Sequence, residues 1–434
     1  VTGSLPTVFE EWFAKQDSWA RQQVAAHPHD SYWQHVDTVL HQLDGLVAGY
    51  AAVAPPSEAL TRFNLAALNG VGDLIDLLNV LMPSTRPAWE AMAPEEVMRD
   101  FSELFQGHSS WFVFQGMLRI MKSYHFQLAN PTTGSHDTTF SSYPGYLSSL
   151  DDFYTNFESG IIMTQTTNNI FNHSLYSLVV PESLLAWQRV RLANQIATSG
   201  AQWMEIAATH NSGTYNNAYL VTDLKKWTAK AALVPGLFTY GEQIPGEFQW
   251  QDTTETLAQS GFWASYNVPY FRDIYEKSGY ASIVQAHAGN ETSAQVLSGL
   301  QYQMAPRAKI VRRQAGAIAD MVDYKAFMRF NEFKSDPYAA GNPFAAICSR
   351  GDLAATHAST SGCYDTKVTS ASWFQEYKAQ IVNGPTWGKW SGKDNLPAFS
   401  WSEQGGKFAG LSHEGMPDTF ATDFVDHTPQ WREW

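Results

Sequence analysis

Four short stretches of this 434-residue chain bring together side chains that could do chemistry: His108-Ser109-Ser110-Trp111, Gln165-Thr166-Thr167-Asn168, Ser265-Tyr266-Asn267-Val268-Pro269 and Ala305-Pro306-Arg307-Ala308-Lys309. The carboxamide of Asn267 can donate to a developing oxyanion. Arg307 carries a fixed fork of donors in an apolar stretch, a fork that suits a carboxylate or phosphate. Each also has a plainer reading. His108 before two serines caps or fills a buried turn, Trp111 is core, and Thr167 is one of two threonines on a strand. Asn267 caps a turn ahead of Pro269, and Arg307 joins Arg312 and Arg313 in surface ion pairs. Generic signatures do not break the tie. There is no His-Glu-x-x-His pair, no Gly-x-Ser-x-Gly turn and no Gly-rich phosphate loop ending in Lys-Ser or Lys-Thr. The thirteen histidines are scattered, and His413-Glu414 lacks a second histidine one helical turn on. Neither a metal nor another cofactor is expected.

The elements that must position these residues change character along the chain. Residues 8–100 read as helical: Asp30 is a candidate N-cap, and Val36, Val39, Leu40, Leu43 and Leu46 share one helical face. Pro55-Pro56 stops that helix; a second is expected from Ser57 to about Leu68, and a third from Val71 to Leu81 before Pro83. The stretch from Asp100 through Phe105 also reads as helix running into the His108 block. Beyond it come short runs rich in Val, Ile, Tyr, Phe and Thr between Pro and Gly turns, a mixed α+β texture. Pro181-Glu182 opens a helical pair interrupted at Ser199-Gly200. Tyr219-Leu220-Val221 and Leu237-Phe238-Thr239-Tyr240 read as strands, the second closed by the Pro245-Gly246 turn. Asn383 to Asn395, rich in glycine and lysine, is expected to be a long surface loop.

Composition narrows the setting. A mass of 48.4 kDa with 44% hydrophobic residues can bury a large core. A formal charge of −14 and a pI near 5.3 argue against nucleic acid or an anionic membrane as a standing partner. The longest uncharged apolar stretch, around Leu46 to Ala54, is far short of the roughly 20 residues that cross a bilayer; no transmembrane segment is expected. The two cysteines, Cys348 and Cys363, could close a loop of about 15 residues, a constraint on the order of 3 kcal/mol, or could be free buried thiols. Asn172-His173-Ser174 and Asn290-Glu291-Thr292 are glycan acceptor triplets.

The His108 block is followed in order by Ser141-Ser142-Tyr143-Pro144-Gly145, Asp151-Asp152-Phe153-Tyr154, Asn211-Ser212-Gly213-Thr214-Tyr215-Asn216-Asn217, Ser265-Tyr266-Asn267-Val268-Pro269-Tyr270-Phe271 and Ala305-Pro306-Arg307-Ala308-Lys309-Ile310. This ordered set resembles the phospholipase B-like family of lysosomal and secreted proteins over nearly the whole chain. The resemblance implies an N-terminal-nucleophile α+β fold, an αββα sandwich of two antiparallel sheets between helical layers. It implies one compact body, with helical fragment 1–100 retained on the 101–434 core after self-cleavage. It places His108, Trp111, Thr167, Asn267 and Arg307 at the pocket, pairs Cys348 with Cys363, and favours glycans at Asn172 and Asn290 in a lysosomal or secreted setting. The expected substrate is a lipid-like or N-acyl small molecule, cleaved at an ester or amide. The family's nucleophile is a cysteine newly exposed at a terminus, on a strand shortly before the His108 block. Here Met92-Ala93-Pro94-Glu95-Glu96-Val97-Met98-Arg99-Asp100 contains none. Three explanations are open: a segment missing from the sequence between Asp100 and Phe101, a pseudoenzyme that binds without catalysis, or a substitute nucleophile, for which Ser102 is the nearest upstream hydroxyl. The missing segment is the expectation adopted.

Overall fold

Asp30 does what its position before an apolar-periodic run predicts. Its carboxylate accepts the amides of Tyr32 at 2.9 Å and Trp33 at 3.2 Å and so opens α2 (Ser31–Val53), which follows α1 (Thr7–Ala26). In this computed structural model, which describes residues 6–82, 103–150, 153–287, 299–405, 408 and 410–429, the helix expected from Ser57 starts later than the sequence suggests. After a single 3-10 turn at Pro56–Glu58, α3 (Arg62–Asn69) begins at Thr61, because Thr61 and Asn64 satisfy each other's free amides in a capping box. Helix α4 (Val71–Leu81) has the expected bounds. Its Gly72 lies against the Tyr215 ring, where an added Cβ would sit 2.4 Å from a ring carbon, so only glycine lets the helix approach this closely.

The remaining strands are β1 (Phe105–Val113), β2 (Ile120–His125), β3 (Asp137–Ser142), β4 (Phe153–Asn156) and β5 (Ile161–Thr167). After α5 (Ala186–Ile196) and α6 (Gly200–Ala208) come β6 (Asn217–Asp223), β7 (Phe238–Ile244) and β8 (Glu247–Asp252). Helices α7 (Thr254–Ser260), α8 (Arg272–Lys277), α9 (Tyr280–Ala286), α10 (Pro306–Ala315) and α11 (Met321–Met328) precede β9 (Ser361–Ser370), α12 (Ala371–Gln375) and β10 (Ala379–Asn383). Three short strands follow: β11 (Phe399–Ser400), β12 (Thr419–Phe420) and β13 (Val425–His427). Strands β2 to β8 form a seven-stranded antiparallel meander in chain order, and a second antiparallel sheet runs β1-β9-β10-β13. Helix α6 covers the first sheet, α5 carries the N-terminal helices, and α11 lies on β1 and β9 of the second. This is the αββα sandwich. β7 is buried at all seven positions, as expected of a strand covered on both faces.

One core cluster joins Phe9, Trp12, Phe13, Val36 and Leu40 of the N-terminal helices to Leu184, Trp187, Val190, Trp203 and Tyr219. Gln16 donates to the Ser183 carbonyl at 3.0 Å and to Gln188 at 2.9 Å across that seam.

Two expectations are corrected. Glu103 and Leu104 are irregular and the His108 block is strand, not the end of a helix; nine-residue pairing with β9 outweighs the helical propensity of the preceding charged run. Asp100, Phe101 and Ser102 lie outside the described residues. The segment Asn383 to Asn395 is not a surface loop: Thr386 and Ser391 are fully buried and Trp390 is 7% exposed. Its carbonyls are bound inside, where Thr386 accepts Arg350 Nη1 at 2.7 Å and Gly384 accepts Arg329 Nη2 at 2.9 Å.

Candidate active site

Alternation along β1 sends His108 and Ser110 toward the seven-stranded sheet and Ser109 and Trp111 toward the α11 layer. On the inner face, Lys367 of β9 extends a side chain only 2% exposed between Asp365 and His108. Its Nζ lies 2.6 Å from Asp365 Oδ1 and 3.2 Å from His108 Nδ1, and it also donates to Ser110 Oγ. Arg119 closes the far side, with Nε 2.8 Å from Asp365 Oδ2 and its guanidinium 4.0 Å from the Tyr143 ring centroid. The two cations hold Asp365 far below the usual carboxylate range despite its burial. Burial, reinforced by the Lys367 charge, pushes the His108 imidazole down to about 3. The Gln165 backbone acts on the ring in the opposite direction.

On the outer face Trp111 donates from Nε1 to the Ile347 carbonyl at 3.2 Å, and Ser109 donates to the Met328 carbonyl at 2.9 Å. The pairing of β1 with β9 shifts register between Ser110 and Trp111, a bulge that re-aims the indole. The Arg307 guanidinium lies 4.5 Å from the Trp111 ring centroid. Pro306 is the first residue of α10, which puts Arg307 in the opening turn.

Arg307 does not make the surface ion pair of the plainer reading. Nη1 donates to Asn267 Oδ1 at 2.9 Å and Nη2 to the Tyr266 carbonyl at 2.6 Å. Asn267 in turn donates from Nδ2 to the Thr167 carbonyl at 2.7 Å. Because a guanidinium only donates and a carbonyl only accepts, these two partners fix which end of the amide is which. One Nδ2 hydrogen is then left over from the Thr167 bond. Asn267 has φ of 63°, in the left-handed region that asparagine tolerates better than most residues. Tyr280 Oη donates to its carbonyl at 3.0 Å. Three residues on, Glu242 of β7 accepts the amides of Tyr270 at 2.8 Å and Phe271 at 3.0 Å, and burial pushes that carboxyl up to about 7.

All five positions, His108, Trp111, Thr167, Asn267 and Arg307, line one cavity of about 570 Å³. Residues from both faces of β1 contribute, so the cavity runs along the strand's outer edge, which pairs with no strand among the described residues. Most of the remaining wall is apolar, from Leu220, Leu233, Phe238, Leu257, Trp263 and Ile318. The arrangement offers an oxyanion donor at Asn267 and a greasy enclosure, the combination expected of a site acting on an acyl chain.

Cys348 and Cys363 form a disulfide with Cα atoms 4.9 Å apart, and Cys363 sits on β9 opposite Trp111. Asn172 is half-buried, and its Nδ2 donates to the Lys277 carbonyl at 3.0 Å. Asn290 lies outside the described residues. Among the described residues no group of three or more His, Cys, Asp or Glu could hold a metal, and no helix is long and apolar enough to cross a membrane. The sequence reading missed Asp365, Lys367, Arg119 and Glu242. The available signal was charge at a two-residue spacing in Asp365-Thr366-Lys367-Val368, which puts both charges on one strand face.

A family model described as Phospholipase B matches residues 2–427. Phospholipase B-like 1 of Rattus norvegicus is 41% identical over 437 residues, spanning 98% of this chain and 76% of that protein. Phospholipase B of Crotalus adamanteus is 40% identical over 438 residues, spanning 97% and 76%. Phospholipase B-like protein D of Dictyostelium discoideum is 32% identical over 443 residues, spanning 98% and 76%.

Proposed function

Since this chain belongs to the phospholipase B family, we propose that it is a hydrolase cleaving the ester or amide bond of an acyl-lipid substrate, by an N-terminal nucleophile freed in autocatalytic processing. The observation that carries this reading is the convergence of His108, Trp111, Thr167, Asn267 and Arg307, from separate elements, on one largely apolar cavity. In such chemistry the new α-amine, with a pKa of about 8, takes the proton of its own side chain. The leftover Nδ2 hydrogen of Asn267 then donates to the oxyanion, and Arg307 holds the amide in that orientation. The nucleophile's strand belongs beside β1, along the edge that lines the cavity. Fragment 1–100 stays on the core through the apolar faces of its described helices, α1 to α4, which are buried there. A lysosomal or secreted setting fits the Cys348–Cys363 disulfide and glycans at Asn172 and Asn290.

One observation favours a second reading, a binding protein that keeps the pocket without the chemistry: both cysteines of the sequence are consumed by the disulfide, leaving no thiol. Intact mass of the denatured, reduced and deglycosylated protein separates the two. Two fragments totalling more than 48.4 kDa, one beginning with cysteine, are expected of the processed hydrolase with a further segment between Asp100 and Phe101. A single uncut chain at 48.4 kDa overturns it in favour of the binding protein. A thiol-directed acyl probe labels the first and leaves the second unlabelled.

A further inference from the structure

We infer that Lys367 is a positioning residue that locks His108 in the neutral tautomer with its proton on Nε2, so that His108 serves the site as a fixed donor and never as its general base. The inference concerns the pocket proposed above, but its geometry stands whether or not the pocket turns over substrate. An ammonium has three protons and no lone pair. Among the described residues the Nζ of Lys367 has three acceptors within reach: Asp365 Oδ1 at 2.6 Å, Ser110 Oγ, and His108 Nδ1 at 3.2 Å. Ser110 Oγ is itself 3.5 Å from the same ring nitrogen. A nitrogen facing an ammonium must present its lone pair, so the ring proton lies on Nε2.

The Nδ1 lone pair of the imidazole is thus committed to Lys367, and the Nε2 proton is the one the ring can offer. The side chains of Lys367 and Asp365 are 2% and 5% exposed, and Arg119 pairs with Asp365 at 2.8 Å. Water does not compete for the donor, and the counter-charge keeps the ammonium in place. A base needs a free lone pair near the proton it takes; His108 offers none to the cavity. Any base must be another group, which agrees with an α-amine acting on its own side chain.

The test is the tautomer itself, read by nitrogen-15 NMR of histidine-labelled full-length protein, with His108 assigned by the signal lost in His108→Asn. In the wild type we expect Nε2 as the protonated nitrogen and Nδ1 as the lone-pair nitrogen throughout pH 5–8. In Lys367→Met we expect a mixture of tautomers or a ring that takes up a second proton in that range, with Lys367→Arg restoring the wild-type pattern. A wild-type His108 carrying its proton on Nδ1, or doubly protonated at pH 6, overturns the inference, and this needs no variant to fold. A protein without hydrolytic activity but with the expected tautomer defeats the proposed function alone.

Discussion

Asn267 owes its orientation to two neighbours, the Arg307 guanidinium on Oδ1 and the Thr167 carbonyl on Nδ2. Replacing it with alanine removes the proposed oxyanion donor, and the expected cost is at least roughly 100-fold in kcat. Turnover of a phospholipid and of an N-acyl amide checks this; unchanged turnover on both rejects the pocket assignment. Arg307→Lys keeps the charge but loses the two-pronged hold on Asn267 and Tyr266 and the stacking on Trp111, so kcat is expected to fall on both substrates. An unaffected kcat would show that charge alone suffices. Lys367→Met strands Asp365 with one of its two cations and is expected to cost about 3–5 kcal/mol in denaturant unfolding. At this scale the sequence was half legible. The suitability of Asn267 and Arg307 follows from side-chain chemistry, while the buried Asp365–Lys367–His108 contact spans 259 positions between its ends and no local pattern announces it.

The strand β9 connects the site to the disulfide. Cys363 faces Trp111 across the β1–β9 ladder, and Cys348 lies just after Ile347, whose carbonyl receives the indole proton. Reducing the bridge releases a loop closed over a sequence separation of 15, for which the chain-entropy model gives about 3 kcal/mol. We expect a lower melting temperature with reductant and a matching drop in Cys348→Ser/Cys363→Ser; equal melting temperatures would show that the surrounding hydrogen bonds already fix the loop. Helices α2 and α4 were readable because Asp30 and the apolar spacing act locally. The His108 block was not, because its strand state depends on β9, whose pairing residues lie more than 200 positions away. Asn383 to Asn395 misled for the opposite reason. Its glycines and lysines look like a loop, and its burial comes from Arg329 and Arg350, which supply donors to its carbonyls.

Three buried carboxyls tie the body together. Asp73 accepts the Ala186 amide at 2.9 Å and the Thr214 hydroxyl at 2.6 Å, Asp76 accepts Asn216 Nδ2 at 3.0 Å, and Glu242 holds the loop that carries Asn267. Burial raises all three, Asp76 and Glu242 to about 7. A carboxyl raised in the folded state binds a proton there that the unfolded chain has released, so stability falls as pH rises toward and through that value. The histidines act in reverse. His108 and His35, lowered to about 3 and about 4, stay neutral while the unfolded chain protonates, which costs stability as pH falls below about 6.5. Between pH 8.5 and 6.5 the carboxyls dominate, and denaturation midpoints are expected to rise by the equivalent of roughly 1–2 kcal/mol toward pH 6.5. A midpoint that instead falls over this range would mean that Asp76 and Glu242 ionise inside the fold.

The sequence by itself determined the family, the αββα class, the N-terminal helices with their caps, and the residue types at the pocket. These rest on local chemistry and ordered blocks, which survive without knowledge of what lies opposite. Tertiary structure alone decided that His108 is neutral, that Arg307 grips an amide instead of a surface acid, and that the cavity follows the edge of β1. Each depends on desolvation and on partners from distant strands and helices, and burial in a low-dielectric interior is a property of the packed molecule, not of any stretch of the chain.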